Sequence, residues 1–415
     1  MTRVNETAQS STARYRKIVG MKALLLENIH PDAAAALRVA GYEVDTRTGS
    51  LAGDELASAL EGVSLLGIRS NTKLTADVIK AAPEDLLAIG AFCIGTNQID
   101  LDMAKERGIA AFNAPYSNTR SVVELAISEI IALSRRLGDK SMQMHQGVWN
   151  KSAEGSHEVR GKKLGIVGYG NIGSQLSVVA EALGMSVIFF DIADKLALSN
   201  AKRAIELDKL LAKADFVTLH VDGRPGNAGF FGAPQFAAMK DGAAFLNLSR
   251  GFVVDVESLA ENIKSGHISG AAVDVYPSEP NNGQPFVSPL QGLPNVIMTP
   301  HVGGSTEEAQ VDIGHYVSAK LIDFVATGNT LMSVNLPNVG APEVQGRRVT
   351  HIHRNVPGVM ANLNAALSGH QANIAFQSLA TEGEIGYAIA DVTAAEPGLL
   401  RTLAAIPDTI RVRMV

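Results

Sequence analysis

The sequence predicts an α/β protein of several domains, built mainly from parallel β-sheets covered by helices. Three observations carry this prediction. The chain has 415 residues, more than one ordinary hydrophobic core accommodates. Short continuous apolar runs alternate with helical patterns through most of it, which is typical of parallel sheets buried on both faces. Residues 346–415 instead follow the order strand, helix, strand, strand, helix, strand, which predicts a ferredoxin-like α+β module.

Composition excludes several classes of function. A formal net charge of -6 and a pI near 6.0 argue against nucleic acid or an anionic membrane as the main partner. Cys93 is the single cysteine, so no intrachain disulfide can form, and a cytoplasmic location is expected. No stretch resembles a membrane span, a secretory signal or a metal site. We expect residues 1–19 to form a disordered tail.

The first strands and helices are predicted between residue 20 and residue 117. The runs "KALLLE", "YEVDT", "SLLGIRS", "LLAIGAF" and "IAAFNAP" predict strands. The segment "PDAAAALRVAG" between the first two has Pro near its start and Gly after its end, which predicts a helix. The run "SVVELAISEIIALSRRL" then predicts a long amphipathic helix that leads into a second domain.

A glycine motif opens the second domain, in "KKLGIVGYGNIGSQLSVVAEALGMSVIFFD". Gly168, Gly170 and Gly173 lie between a predicted strand and a predicted helix, and Asp191 follows the next strand. This context predicts a Rossmann-type dinucleotide site, whereas a glycine triplet alone would only suggest a turn. Gly168 permits the tight turn, Gly170 admits the pyrophosphate, and Gly173 lets helix and strand pack closely. The start of the helix would then face the phosphates.

The acidic residue after the second strand indicates which dinucleotide binds. Asp191 is expected to accept hydrogen bonds from the adenosine ribose hydroxyls. Its carboxylate would repel a 2′-phosphate, and no arginine follows it closely along the chain. The sequence therefore predicts NAD as the cofactor in preference to NADP.

Three polar residues follow strands of the same predicted sheet. Arg250 comes after "FLNLS", Glu279 after "AAVDVY" and His301 after "NVIMTP". Each has a plain alternative, namely a surface ion pair, a solvated carboxylate and a helix cap. In open parallel sheets, however, ligands bind at the carboxyl ends of the strands, where all three would lie. Their shared position favours one catalytic site.

The chemistry of hydride transfer at a hydroxyl carbon gives each residue a role. Histidine can take and return the hydroxyl proton because its pKa is about 6.5. A carboxylate on its far nitrogen would fix the tautomer, which is the role predicted for Glu279. Arg250 would hold a substrate carboxylate by two parallel hydrogen bonds. Gly303 and Gly304 are interpreted as leaving room for backbone and cofactor beside His301.

The order Arg, Glu, His in "NLSRG", "YPSEP" and "TPHVGGS", after "GYGNIG" and Asp191, resembles the D-isomer-specific 2-hydroxyacid dehydrogenases. The stretches "AFCIGTNQIDL", "FNAPYSNTRSV" and "GVWNK" narrow the resemblance to the phosphoglycerate-oxidising members that carry a C-terminal ACT domain. It extends from about residue 20 to the C-terminus. It implies oxidation of 3-phospho-D-glycerate to 3-phosphohydroxypyruvate with NAD, the first step of L-serine biosynthesis, with reduction of 2-oxoglutarate left open.

The resemblance also implies a domain arrangement. Residues 20–117 and 304–340 would form a flavodoxin-like substrate-binding domain. Residues 118–303 would form the inserted Rossmann-type NAD domain, and residues 346–415 the ferredoxin-like ACT regulatory domain.

Site residues follow from the matching motifs. Arg250, Glu279 and His301 match the catalytic positions of the family. The positions that match cofactor contacts are Gly168, Gly170, Asn171, Ile172, Gly173, Asp191, Leu248, Ser249, Asp274, Gly303 and Gly304. The positions that match substrate contacts are Arg69, Ser70, Asn118 and Lys151. Relatives often have Arg where this chain has Asn71. Lys73 is a candidate to bind the substrate phosphate in place of that arginine.

Regulation and assembly are implied in the same way. His353, Asn355 and Asn373 match positions that bind L-serine as an effector, although Asn355 could merely shape a turn. Relatives often have an arginine before the proline of this motif, where this chain has Val356. In the linker "VQGRR", Gln345 replaces a second glycine that relatives have, which suggests a stiffer hinge. A homotetramer is expected. Trp149, the single tryptophan, is expected in the core by default, with a subunit interface as the second interpretation.

Two other functions stay open. One is a different D-2-hydroxyacid dehydrogenase, of the glyoxylate/hydroxypyruvate or lactate reductase type, which Arg69, Lys151 and the regulatory module disfavour. The other is an NAD-sensing binding protein, which would not need the Arg, Glu and His set.

Overall fold

The computed structural model describes residues 20–280, 283–393 and 397–415. The tail expected at residues 1–19 lies outside these ranges. The chain forms two compact units. One, called here the discontinuous unit, joins the chain up to Ser117 with Gln310–Val415, and the other, the central unit, is Asn118–Ala309.

The discontinuous unit contains a five-stranded parallel sheet with the order β2-β1-β3-β4-β5. This is the flavodoxin-like order, so this part of the predicted fold class is confirmed. Every residue of β3, β4 and β5 is buried, which explains their continuous apolar sequences. The strands are Lys22–Leu25 (β1), Glu43–Thr46 (β2), Val63–Ile68 (β3), Ala88–Ala91 (β4) and Ala110–Asn113 (β5).

Four helices connect these strands. The first starts with Pro31, and its C-cap Gly41 has φ 103°, a left-handed conformation that suits glycine. These helices are Pro31–Ala40 (α1), Gly53–Ala59 (α2), Ala76–Ala81 (α3) and Leu101–Glu106 (α4).

The central unit is a seven-stranded parallel sheet with the order β12-β11-β10-β9-β6-β7-β8. Its strands are Lys163–Val167 (β6), Ser186–Phe190 (β7), Lys202–Arg203 (β8), Phe216–Leu219 (β9), Ala243–Asn247 (β10), Ile268–Val273 (β11) and Val296–Met298 (β12). The chain runs from β6 toward one edge of the sheet and returns at β9 to build the other. The crevice between β6 and β9, at the carboxyl ends of the strands, is therefore where a ligand is expected.

Helices cover both faces of this sheet, as the Rossmann-type prediction requires. They are Thr119–Arg135 (α5), Leu137–His145 (α6), Asn171–Ala182 (α7), Leu207–Leu211 (α8), Ala233–Ala238 (α9) and Val256–Lys264 (α10), with short 3-10 turns at Pro225–Asn227 and Gly251–Val253. The predicted long amphipathic helix is α5, which buries Val122, Val123, Ala126, Ile130 and Leu133. Its C-cap is Arg136, whose left-handed φ of 50° turns the chain into α6. Helix Glu307–Thr327 (α11) follows and leads into the discontinuous unit.

The C-terminal module has the predicted ferredoxin-like topology. Its antiparallel sheet has the order β14-β15-β13-β16. Its elements are Arg347–Arg354 (β13), Val359–Gly369 (α12), Asn373–Glu382 (β14), Ile385–Thr393 (β15), Leu399–Ala404 (α13) and Thr409–Met414 (β16). One sheet face packs against both helices through Leu363, Leu367 and Leu403. The other face shares a core with the five-stranded sheet and α11, in which Ile352, Tyr387, Ile389, Leu321 and Phe324 take part.

The default expectation for Trp149 is wrong. The indole is 79 % exposed, so it lies outside the core of this chain. Leu137, Met142 and Met144 in the same stretch are also exposed. Within the described ranges, no helix combines the length and apolar composition needed to cross a membrane.

Candidate active site

Three loops at the carboxyl edge of the central sheet carry the predicted catalytic residues. Arg250 follows β10, Glu279 follows β11 and His301 follows β12, and these strands are neighbours. Gly251 brings the first two loops together, because a Cβ on it would lie 1.9 Å from the carbonyl carbon of Tyr276. A side chain at position 251 would therefore push the Arg250 loop away from the Glu279 loop.

The imidazole of His301 and the carboxylate of Glu279 form a hydrogen-bonded pair. His301 Nδ1 lies 2.8 Å from Glu279 Oε2, and Glu279 Oε1 accepts the N–H of Tyr276 at 3.1 Å. The hydrogen bond that His301 donates to Glu279 raises the pKa of His301 above its ordinary value, although burial and Arg250 oppose the shift. Burial would raise the pKa of Glu279, but the hydrogen bonds from His301 and Tyr276 outweigh it and lower that pKa. The pair thus favours a protonated imidazole beside an ionised carboxylate.

The backbone at His301 is held in an uncommon conformation. Its φ of 54° is left-handed, which is rare for residues other than Gly and is often found at functional sites. Asp274 supports this conformation: its carbonyl accepts the N–H of His301 at 2.8 Å. Its carboxylate accepts Thr299 Oγ1 at 2.6 Å and the N–H groups of Val302 and Gly303 at 2.8 Å each. Asp274, predicted as a cofactor contact, therefore holds the His301 loop.

Asn247 fixes the loop that carries Arg250. Its Nδ2 donates to the carbonyl of Arg250 at 3.1 Å, and its Oδ1 accepts the N–H of Ser249 at 3.1 Å and its hydroxyl at 2.8 Å. The guanidinium of Arg250 donates to the carbonyl of Ser249 at 2.7 Å. Sequence reasoning missed Asn247, although an asparagine that ends an apolar strand was a usable signal.

The glycine loop after β6 shows two kinds of glycine. A Cβ on Gly168 would lie 2.5 Å from the carbonyl oxygen of His220, and one on Gly173 would lie 2.3 Å from that of Gly168. The surrounding backbone therefore leaves no room for a side chain at Gly168 or Gly173. A Cβ on Gly170 would meet nothing within 4 Å. Gly170 also precedes α7 without a side-chain cap, so the N–H groups of the first turn face that open space.

This arrangement fits a dinucleotide. An open position above bare backbone, at an uncapped helix start, is what a pyrophosphate requires. Asn171 and Ile172 form the first turn of α7, as predicted. Leu248 and Ser249 are buried at the end of β10.

The carboxylate of Asp191 lies at the end of β7 and is firmly held. Its Oδ2 accepts the N–H of Tyr169 and its Oδ1 that of Ala193, each at 2.8 Å. The sequence showed no arginine close behind it, but the fold brings one there. Arg203 in β8 donates to the carbonyl of Asp191 at 3.3 Å and to that of Ala193 at 3.1 Å. Closeness along the chain was therefore the wrong criterion for judging whether an arginine lies near Asp191.

The two glycines after His301 lie against protein side chains. A Cβ on Gly303 would lie 2.8 Å from Asp274 Oδ2, and one on Gly304 would lie 2.1 Å from Asn118 Nδ2. Their lack of side chains is thus explained by packing inside the central unit. Asn118 immediately precedes α5 and borders the His301 loop through this contact.

The other predicted substrate residues lie in two places. Arg69 and Ser70 follow β3 in the discontinuous unit, in a loop held by the buried Glu27. The Glu27 carboxylate accepts the N–H groups of Arg69, Asn71 and Thr72 at 3.2, 2.9 and 2.8 Å. Sequence reasoning gave no role to Glu27. Lys73 donates to the carbonyl of Ser70 at 3.3 Å.

Lys151 belongs to the central unit and is exposed in the segment after α6. Its neighbour Ser152 anchors this segment by accepting a hydrogen bond from Lys140 at 2.8 Å.

The predicted effector residues do not all meet in one chain. His353 is buried near the end of β13, with its Nδ1 3.2 Å from that of His351. Asn355 donates from Nδ2 to the carbonyl of Gly383 at 3.1 Å, so its side chain contacts the β14–β15 turn. Asn373 starts β14 opposite Thr393, whereas His353 pairs with Gly386 of the same β15 strand. Asn373 therefore lies at the other end of the sheet.

Comparison with known proteins extends these observations. Residues 127–303 match the family model described as D-isomer specific 2-hydroxyacid dehydrogenase, NAD binding domain. A D-3-phosphoglycerate dehydrogenase of Haemophilus influenzae is 49% identical over 95% of this chain and 97% of its own. D-3-phosphoglycerate dehydrogenase 1 of Saccharomyces cerevisiae is 50% identical over 91% of this chain and 82% of its own.

A solved structure is similar in fold as well. The D-lactate dehydrogenase of Aquifex aeolicus, in complex with NAD and lactic acid, is 25% identical with a TM-score of 0.65. The similarity covers 73% of this chain and 95% of that one.

Proposed function

Because the chain belongs to the D-isomer-specific 2-hydroxyacid dehydrogenase family, we propose that it oxidises 3-phospho-D-glycerate to 3-phosphohydroxypyruvate with NAD. This reaction is the first step of L-serine biosynthesis. The observation that carries the proposal is the His301–Glu279 hydrogen bond, located beside the Arg250 loop at the carboxyl edge of a Rossmann-type sheet. Relatives of similar length and about half identical sequence are named D-3-phosphoglycerate dehydrogenase, which supports this substrate.

The His301–Glu279 pair supplies acid–base catalysis. With Nδ1 held by Glu279, His301 takes the substrate hydroxyl proton on Nε2, and in the reverse direction it returns that proton. The Glu279 carboxylate stabilises the imidazolium that forms and keeps the ring in one tautomer. Bound NAD would supply the acceptor for the hydride that leaves the hydroxyl carbon.

The other charged residues position the substrate. Arg250 binds the substrate carboxylate by two parallel hydrogen bonds. Asn118, which borders the His301 loop, and Lys151 contact the substrate from the central unit. Arg69 and Ser70 contribute from a loop that Glu27 holds in shape.

The cofactor residues are proposed from the geometry of the glycine loop and of the strand ends. Gly170 with the first turn of α7 would hold the pyrophosphate, and Asp191 the adenosine ribose. Leu248, Ser249 and Asp274 would border the nicotinamide end, with Asp274 also fixing the His301 loop.

Domain roles and regulation are part of the same proposal. Residues 20–117 and 304–340 serve as the substrate-binding domain, 118–303 as the NAD domain and 346–415 as an ACT regulatory domain of a cytoplasmic homotetramer. L-serine binds through His353, Asn355 and Asn373. Since Asn373 lies at the far end of the sheet, a complete effector site needs Asn373 from a second copy.

A substrate panel tests the proposed reaction. The purified chain is assayed for NAD reduction with 3-phospho-D-glycerate, D-glycerate and D-lactate, and for NADH oxidation with hydroxypyruvate, glyoxylate and 2-oxoglutarate. We expect the highest kcat/KM for the phosphorylated substrate. A preference for glyoxylate or hydroxypyruvate would instead identify another dehydrogenase of the family. NAD binding without turnover of any compound would favour an NAD-sensing protein.

Two solution measurements test regulation and assembly. Millimolar L-serine should lower turnover and raise the thermal midpoint, and light scattering should give the mass of four chains. Unchanged turnover and midpoint in L-serine, or a monomeric mass, would contradict the respective proposal.

A further inference from the structure

The side chain of Arg250 lies against bare backbone at Gly223, in the loop after β9. A Cβ on Gly223 would lie 3.2 Å from Nε, 3.5 Å from Cγ and 3.7 Å from Cδ of Arg250. The first distance is shorter than an ordinary contact of a Cβ atom, whereas the other two are ordinary van der Waals contacts. The missing side chain of Gly223 therefore leaves the space that the guanidinium end of Arg250 occupies.

Hydrogen bonds close a compact turn around Gly223. Arg224 Nε donates to Asp222 Oδ1 at 2.7 Å. Asn227 Nδ2 donates to the carbonyl of Asp222 and to its Oδ1, each at 2.9 Å. The residues on both sides of Gly223 are thus bonded to one another, and the turn resists a displacement away from Arg250.

The backbone of Arg250 is fixed as well. The N–H of Gly229 donates to the carbonyl of Phe252 at 2.9 Å, which links the loop after β9 to the loop after β10. Asn247 donates to the carbonyl of Arg250 at 3.1 Å, and Gly251 packs closely on the loop after β11. A group added opposite the Arg250 side chain would therefore displace that side chain, the flexible part of the contact, before it displaced either backbone.

The position of the guanidinium decides how its donors face a substrate. Nη1 of Arg250 donates to the carbonyl of Ser249 at 2.7 Å, which uses one of the N–H donors of the group. Two-point binding of a carboxylate requires two parallel donors with a fixed direction. Because the guanidinium is planar and rigid, a shift of its Nε end changes both hydrogen bonds to the carboxylate together.

We propose that Gly223 is a positioning residue for substrate recognition. Because it has no side chain, Arg250 lies back against the loop after β9 and presents its guanidinium where the substrate carboxylate binds. The inference rests on the proposed function, since it takes Arg250 as the group that binds this carboxylate. Gly223 itself touches no substrate and acts only through Arg250.

Gly223→Ala tests this role, because it adds the one carbon atom that the contact excludes. The φ of Gly223 is not left-handed, so alanine fits the backbone. The measurement is the Kd of 3-phospho-D-glycerate, or of the acid that the substrate panel prefers, for the enzyme–NADH complex, in which no turnover occurs. We expect this Kd to rise about threefold to thirtyfold, the effect of misaligning charge-assisted hydrogen bonds without removing them. The Kd of NADH should not change.

Gly226→Ala is the matched control from the same loop. The φ of Gly226 is likewise not left-handed, and a Cβ on it would meet nothing within 4 Å. The Kd of the acid in this variant should equal that of the wild type.

A second substitution distinguishes positioning from a general loss of structure. Arg250→Ala removes the three atoms that a Cβ at position 223 would approach. Adding Gly223→Ala to Arg250→Ala should therefore leave the Kd of the acid as it is in Arg250→Ala alone. A purely structural effect of Gly223→Ala would weaken binding by the same factor in both backgrounds.

Three results would contradict the role of Gly223. The first is an unchanged Kd of the acid in a Gly223→Ala variant whose thermal midpoint shows that it is folded. The second is an equal loss of affinity in Gly226→Ala, and the third is an equal loss with and without the Arg250 side chain. If Gly223→Ala does not fold, Gly223→Ser takes its place with the same expected results.

The wild-type measurements separate this inference from the proposed substrate. If the panel prefers another 2-hydroxy acid, the proposed substrate is wrong, and the Gly223 variants are tested with that acid. If the wild type binds 3-phospho-D-glycerate and Gly223→Ala binds it equally well, only the role of Gly223 is refuted. A wild type that binds NADH but no 2-hydroxy acid refutes both.

Discussion

The His301–Glu279 pair and the Arg250 loop depend on neighbouring residues that take no direct part in the proposed proton transfer. Tyr276 donates its N–H to Glu279 and so orients the carboxylate toward the imidazole. The carboxylate and carbonyl of Asp274 hold His301 in its left-handed conformation. Asn247 does the same for the loop of Arg250. A substitution at Asn247 should therefore change the catalytic geometry before it changes binding.

Glu279→Gln tests the acid–base assignment at the residue scale. Glu279 raises the pKa of His301, so removing its charge lowers that pKa. Oxidation requires a neutral imidazole and fails as pH falls through this pKa. The acid limb of kcat/KM should therefore move to lower pH, while kcat falls on the order of a hundredfold or more. The measurement is a pH profile of 3-phospho-D-glycerate oxidation.

Glu257→Gln is the matched control, since Glu257 is an exposed carboxylate of the same unit. Its profile should equal that of the wild type. An acid limb that does not move in Glu279→Gln would refute the coupling between Glu279 and His301.

Helix α5 carries a carboxylic acid on its buried face. Glu129 is 3 % exposed, and neither of its oxygens has a hydrogen-bond partner among the residues that the structure describes. Burial raises its pKa to about 8, and the charge of Asp274 adds to the shift. Glu129 is thus a neutral acid near the residue that holds the His301 loop. Ionising it would place a second charge in the neighbourhood of Asp274.

Stability at the element scale should consequently depend on pH through Glu129. The unfolded chain releases this proton near the ordinary value of 4.5, whereas the folded chain keeps it up to about 8. Stability should therefore decrease as pH rises through this interval, by an amount on the order of several kcal/mol. Glu129→Gln removes the titration. Urea unfolding at pH 5 and pH 8 should show a smaller decrease for this variant than for the wild type.

The exposed Glu124 lies in the same helix and pairs with Arg120, so Glu124→Gln is the control. It should retain the wild-type decrease between the two pH values. An equal decrease in the wild type and in Glu129→Gln would show that Glu129 does not stay protonated in the folded chain.

At the scale of the whole molecule, a buried ion pair inside the C-terminal module also binds the end of α11 and the linker. Arg348 and Asp391 are both fully buried, with Nε–Oδ1 at 2.6 Å and Nη2–Oδ2 at 2.8 Å. Arg348 also donates to the carbonyl of Thr327 at the end of α11. The N–H of Gln345 in the linker donates to Asp391 at 3.1 Å. The linker is therefore fixed to the sheet of the module.

Breaking this pair should destabilise the fold strongly. Arg348→Met leaves Asp391 buried without its partner, which should cost about 3–5 kcal/mol of unfolding free energy. The double variant Arg348→Met, Asp391→Leu removes both charges and should lose much less than the single variant. Urea unfolding of both variants measures the difference. Arg347→Met, at the exposed preceding residue of the same strand, should stay close to the wild type.

A double variant as unstable as Arg348→Met would contradict this prediction. The lost stability would then come from the hydrogen bond between Arg348 and the carbonyl of Thr327, because that bond is removed in both variants.

The sequence by itself determined the local features of this protein. Apolar runs and helical periodicity predicted the doubly wound sheets and the ferredoxin-like module, because both patterns repeat over a few residues. The sequence also predicted the glycine loop. It placed Arg250, Glu279 and His301 at strand ends, and parallel strands bring their carboxyl ends to one edge of a sheet. Such features need only the order of residues along the chain.

Tertiary structure alone decided which distant residues meet. The approach of Arg203 to Asp191, the hold of Glu27 on the Arg69 loop and the separation of Asn373 from His353 all depend on contacts between remote segments. The exposure of Trp149 is of the same kind, because burial is a property of the surroundings and not of the side chain. The number of residues between two positions does not determine their distance across a sheet, so only the folded structure shows which of them meet.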